Sequence, residues 1–139
     1  KNYFIETAKV FNNLYGSPYI NIDNASKKNK HVLFDIDWQG ARKLRKKFIK
    51  NKIIDFFILP PNKKELKKRL IKRGRENKKE INLRLSLALE EMKHYDEYKY
   101  VLINDNIQTT LNNLISIINY NIFIEENNVM LNKKLKFSK

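Results

Sequence analysis

The sequence predicts an α/β domain whose parallel sheet is covered by helices on both faces. Three observations predict it. Nearly continuous apolar runs at His31–Asp37, Ile53–Leu59 and Tyr100–Ile103 have the composition of strands buried on both sides. Amphipathic helical segments separate them, which is the alternation that parallel crossovers require. Polar residues (Asp35, Asp37, Asn104 and Asp105) stand at the ends of two of those runs, where such sheets bind their ligands.

The elements follow in chain order. Tyr3 to Gly16 has a strand–turn–strand pattern: Tyr3, Phe4, Ile5, Val10 and Phe11 favour strands, and Asn12-Asn13 suits a hairpin turn. Ser17-Pro18 has the form of an N-cap and first-turn proline for a short helix reaching toward Ala25. After a polar connector comes the apolar run Val32, Leu33, Phe34, Ile36. A basic helix is expected from Gln39 to Lys50, with Ala41, Leu44 and Phe48 along one side. Pro60-Pro61 stops the next strand. Asn62 with Glu65 three residues on resembles a capping box that opens a helix carrying Leu66 and Leu70 inward and ending near Gly74. Arg75 to Glu80 is a charged stretch with almost nothing to bury. A longer helix from about Ile81 to Tyr95 presents Leu85, Leu89 and Met92. A last helix spans Thr109 to Glu125, and Asn127 to Lys139 is expected to be a loosely held tail.

Composition bounds the function. The 139 residues amount to one domain or slightly less, and 42% hydrophobic content is enough for a core. A start at Lys1, inside a strand-like run, is the start expected of a fragment. No apolar run is long enough to cross a bilayer and no signal-peptide layout is present. The chain has no cysteine, which excludes disulfides and thiolate metal sites and fits a cytoplasmic protein. A net charge of +14 suits an anionic partner. The abundance of Lys, Asn and Ile equally suits an AT-rich genome, so the six arginines are the more informative cations.

Three constellations could carry chemistry. Val32-Leu33-Phe34-Asp35-Ile36-Asp37 is an apolar strand ending in carboxylates, either a metal-orienting arrangement or a cap for the next helix. Arg69, Arg73 and Arg84 flank the charged loop, either as mobile cations that close over phosphates or as a solvated basic face. Glu6 with Tyr15-Gly16-Ser17 is either an incidental part of a hairpin or a guanine reader. A carboxylate accepts from the N1–H and N2–H₂ edge of guanine, which adenine lacks. His31 and His94 have no metal-like spacing, and Trp38 is expected to pack at the strand–helix junction.

The order of these signals is specific. Phe4-Ile5-Glu6, Tyr15-Gly16-Ser17, Asp35-Ile36-Asp37-Trp38-Gln39-Gly40, Leu59-Pro60-Pro61, Arg69-Leu70, Arg73-Gly74, Arg84-Leu85, Glu91-Met92, His94-Tyr95 and Ile103-Asn104-Asp105 together resemble a guanylate kinase of the bacterial type. The resemblance implies an α/β P-loop kinase fold with a parallel sheet core, a small β-rich GMP-binding part and a lid. It lays out a domain over 1–125, with 1–30 for GMP, 31–72 and 85–125 as core, 73–84 as lid, and a basic tail over 126–139. It implies Mg²⁺-dependent transfer of the ATP γ-phosphate to GMP, with small-molecule nucleotides rather than nucleic acid or membrane as partners. Glu6 and Asp37 would read guanine, Tyr15 would hold the GMP phosphate and Ser17 would touch the base. Arg73 and Arg84 would reach ATP phosphates, Asn104 would lie near adenine, and Asp35 would meet the metal through water.

Departures from the family pattern accompany the resemblance. No G-x-x-x-x-G-K-[ST] loop occurs and the chain has three glycines. The family's first strand and P-loop would lie upstream of Tyr3, so this chain alone is expected to turn over negligibly. Thr7 stands where relatives often carry Trp, and Asn106 where Asp is frequent. Two rival readings are a non-catalytic guanylate-kinase-like module that binds phosphorylated peptides, and a small basic nucleic-acid binder.

Overall fold

The computed structural model describes residues 3–10, 13–48, 53–72 and 77–135. They form two compact units, Lys1–Ile53 and Ile54–Lys139.

The first unit opens with an antiparallel ribbon of β1 (Phe4–Val10) and β2 (Asn13–Pro18). Its register slips between Phe4 and Glu6, a bulge. Regular pleating sends consecutive side chains to opposite faces. Here Ile5 (2% exposed) and its neighbour Glu6 (4%) are both buried, so the bulge re-aims a side chain next to the carboxylate. Gly16 permits the ribbon to close: a Cβ there would lie 2.8 Å from Phe4 Cδ1 and 3.1 Å from the Glu6 carbonyl oxygen.

Helix α1 (Tyr19–Lys27) follows. Its N-cap is Pro18, not Ser17, and no side chain caps it. The Ser17 hydroxyl is instead engaged with Glu6, an alternative that local sequence could not reveal. Helix α2 (Trp38–Lys47) starts on Asp37, whose Oδ1 accepts from the Gly40 amide at 2.9 Å. Ala41 and Leu44 are buried as expected and α2 packs on β1; Phe48 falls at the C-cap, half-buried.

The run His31–Asp37 departs from expectation. It joins no ladder, since the sheets among the described residues are β1–β2 and the pair in the second unit. Leu33 is 90% exposed. An apolar run becomes a buried strand only where neighbouring strands accept its backbone hydrogen bonds.

In the second unit β3 (Phe56–Leu59) and β4 (Tyr100–Ile103) pair in parallel, with Phe56 opposite Tyr100 and Leu59 opposite Ile103. Cross-strand stacking of Phe56 on Tyr100 supports that register, with ring centroids 5.5 Å apart. β4 is only partly covered: Ile103 is exposed, where a fully buried strand was expected.

Helices α3 (Lys63–Lys72) and α4 (Lys78–Glu91) pack together in the connection between the two strands. The α3 cap is half a box: Asn62 Oδ1 accepts from the Glu65 amide, while the Glu65 carboxylate turns to Lys68 and Arg69. Gly74, Arg73 and Arg75 lie outside the described residues. The expected loop is shorter than its charge suggested, because a full capping box of Asn77 and Glu80 starts α4 three residues early. The chain then tightens into a 3₁₀ segment, Met92–Glu97. Helix α5 (Ile107–Leu135) begins on Asn106, which accepts from the Thr109 amide at 3.0 Å. It runs ten residues beyond the expected end at Glu125, through most of the presumed tail, because no glycine or proline interrupts it.

Candidate functional site

Glu6 is the centre of the first unit's polar chemistry. The strand register sets Ser17 opposite it, and the Ser17 hydroxyl donates to Oε1 at 2.7 Å. The other carboxylate oxygen faces the start of α2. A Cβ on Gly40 would lie 3.0 Å from Glu6 Oε2 and 3.5 Å from Asp37 Oδ1, so both carboxylates converge on the space that a glycine leaves open. Gln39 Nε2 donates to the second Asp37 oxygen at 3.1 Å. Of the two readings of the acidic pair, the helix cap is the one seen at Asp37, which also borders Glu6.

A buried carboxylate loses its hydration and must find donors. Among the described residues the Ser17 hydroxyl is the hydrogen bond that the Glu6 side chain makes within the protein, and no cation pairs with it. The carboxylate keeps acceptor capacity for a ligand rich in N–H groups.

The remaining expected residues are placed as follows. Tyr15 is exposed on β2, opposite Ala8. Asp35 is exposed in the extended segment before α2. Trp38 lies under the Arg42 guanidinium, 4.5 Å from the ring centroid, at the junction where packing was expected. Arg73 falls outside the described residues.

In the second unit Arg84 is half-buried on α4. Arg69 is tied down: its side chain meets Glu65 at 3.3 Å and donates to the Asn104 carbonyl at 2.9 Å. Asn104 follows β4 directly, and its amide extends the ladder to the Leu59 carbonyl at 2.7 Å. Its side-chain Oδ1 accepts from Thr110 Oγ1 at 3.4 Å. No group of three or more His, Asp or Glu side chains that could hold a metal occurs among the described residues. No described helix is long and apolar enough to cross a membrane.

Sequence reasoning missed the supports. Thr110 is 7% exposed and braces Asn104. Lys43 donates to the Thr7 carbonyl and Lys47 to the Ile5 carbonyl, on either side of Glu6. Among so many lysines no local pattern marks these two. Gly40 was visible within the Asp-Ile-Asp-Trp-Gln-Gly run, but not the reason for it.

A parallel β3–β4 pair with polar residues beyond its strand ends is an arrangement shared by the α/β P-loop kinase fold. The crystal structure of guanylate kinase from Anaplasma phagocytophilum has that fold; it superposes with a TM-score of 0.70 at 32% identity, covering 86% of this chain and 56% of that one. The guanylate kinase family model matches residues 1–121. The guanylate kinase of Buchnera aphidicola subsp. Baizongia pistaciae is 47% identical over 118 residues, 85% of this chain and 56% of the relative. That of Haemophilus influenzae is 47% identical over 116 residues, 83% and 55% of the two chains. That of Buchnera aphidicola subsp. Schizaphis graminum is 43% identical over 138 residues, 96% and 66%. The chain belongs to the guanylate kinase family. It spans little more than half the length of most of these relatives.

Proposed function

We propose that this chain is the guanine-reading and lid-bearing part of a guanylate kinase, transferring the ATP γ-phosphate to GMP to give ADP and GDP. One observation carries the reading: the buried Glu6 carboxylate, held by Ser17 and bordered by Asp37 across Gly40. Guanine presents N1–H and N2–H₂ side by side, and a carboxylate can accept both. Adenine offers a lone pair at N1 and no amino group at C2. A buried carboxylate with acceptor capacity left over discriminates strongly against a base lacking the matching donors.

The other roles follow the family pattern. Tyr15 holds the GMP phosphate and Ser17 touches the base as well as Glu6. Arg73 and Arg84 neutralise the ATP phosphates, and Asn104 lies by the adenine. The segments 1–30, 31–72 with 85–125, and 73–84 serve as GMP-binding part, core and lid of a domain over 1–125. A GMP phosphate oxygen attacks the γ-phosphorus while the bond to the β-bridging oxygen breaks. The nucleophile is already ionised at neutral pH, so alignment and charge neutralisation lower the barrier and no general base is needed.

The donor set suits Mg²⁺, which takes few protein carboxylates and completes its shell with water and phosphate oxygens. An exposed carboxylate such as Asp35 fits that use. Asp35 would hold the ion through water, and the ion would supply neutralisation of phosphate charge.

Calorimetric titration tests the reading. The chain should bind GMP and not AMP, and Glu6→Gln should weaken GMP roughly 100-fold, because an amide N–H₂ then faces the guanine donors. Equal affinity for GMP and AMP would overturn it.

A further inference from the structure

We infer that Lys43 and Lys47 are positioning residues for guanine selection, fixing the backbone on both sides of Glu6. The inference rests on the guanine reading above. Alternate carbonyls of a strand point to opposite edges. The Glu6 carbonyl lies toward Gly16 on β2, where a glycine Cβ would be only 3.1 Å from it. The Ile5 and Thr7 carbonyls point the other way, to the edge of β1 away from β2, which pairs with no other strand among the described residues.

Helix α2 closes it with charge. Lys43 donates to the Thr7 carbonyl and Lys47 to the Ile5 carbonyl, so ammonium groups bracket the Glu6 residue at positions i−1 and i+1. The two lysines are one helical turn apart and share a face, matching the spacing of alternate strand carbonyls. Lys47 is itself oriented by Tyr19 at the start of α1: its ammonium meets the phenol oxygen at 3.0 Å and lies 5.2 Å from the ring centroid.

The same helix carries Asp37 and Gly40 at its other end, against the Glu6 carboxylate. One rigid element thus holds both the main chain of the reader and the partners of its head group. Since the bulge of β1 falls at Ile5, immediately before Glu6, the pleat alone does not fix the aim of the Glu6 side chain; the lysine clamp holds the backbone on both sides of it.

The test separates aim from folding. GMP and IMP, which is the same nucleotide without the 2-amino group, are titrated calorimetrically against the 139-residue chain and its variants, with thermal melts alongside. Lys47→Met and Lys43→Met should each lower the GMP:IMP affinity ratio roughly tenfold, the scale of one lost charge-assisted hydrogen bond, and Lys47→Arg should restore most of it. A purely structural role would lower both affinities in step with the melting temperature and leave the ratio unchanged. If Lys47→Met does not fold, Lys43→Met decides alone. An unchanged ratio in the methionine variants, with Glu6→Gln still abolishing selectivity, overturns the clamp and leaves the guanine reading standing. A ratio indifferent to Glu6→Gln removes both.

Discussion

Gly40→Ala opposes two effects of known sign. Gly40 occupies the first turn of α2, and its amide bonds Asp37 Oδ1. By helix propensity alone, alanine there should stabilise the protein by about 1 kcal/mol. The added methyl, however, would meet Glu6 Oε2 at 3.0 Å and Ile36 Cβ at 3.2 Å, both tighter than ordinary contact. Overpacking of this kind costs about 1–3 kcal/mol in a well-packed site. The sum is a net loss of about 0–2 kcal/mol, with the carboxylate displaced by a few tenths of an ångström. A shift of that size in a bidentate acceptor should cost roughly tenfold in GMP affinity. Urea denaturation of the chain gives the first quantity and GMP titration the second. A variant that gains about 1 kcal/mol and binds GMP unchanged would refute the reasoning, because the methyl would then have found free space.

Two further substitutions probe the supports. Ser17→Ala removes the hydroxyl that donates to Glu6 at 2.7 Å, and should destabilise the chain by about 1.5–3 kcal/mol by chemical denaturation while lowering GMP affinity. Thr110→Val keeps shape but deletes the buried hydroxyl that reaches the Asn106 carbonyl at 2.9 Å and Asn104 at 3.4 Å. It should cost about 1–3 kcal/mol in the same assay and leave GMP binding unaltered, since its partners Ile103, Asn104 and Asn106 lie at or just beyond the end of β4.

Periodicity and breaker residues were enough to locate most elements, although Asn13 of the expected turn belongs to β2 and Asn12 lies outside the described residues. The hairpin, the α2 face of Ala41 and Leu44, the stop at Pro60-Pro61 and the parallel strands Phe56–Leu59 and Tyr100–Ile103 all rest on local pattern. Each is a property of one segment and its own side chains, and so is visible in one dimension. The family was legible too, because its motifs keep their order along the chain.

What the tertiary structure alone decided is which groups meet. Whether His31–Asp37 forms a strand depends on neighbours for its backbone, and no apolar run encodes them. Whether Ser17 caps a helix or holds Glu6 depends on strand pairing between residues eleven apart in sequence. The choice of Lys43 and Lys47 among equals depends on strand carbonyls thirty-six and forty-two residues away. Hydrogen bonds of that separation are set by packing geometry. Residue type offers the donor, and only the fold supplies the acceptor.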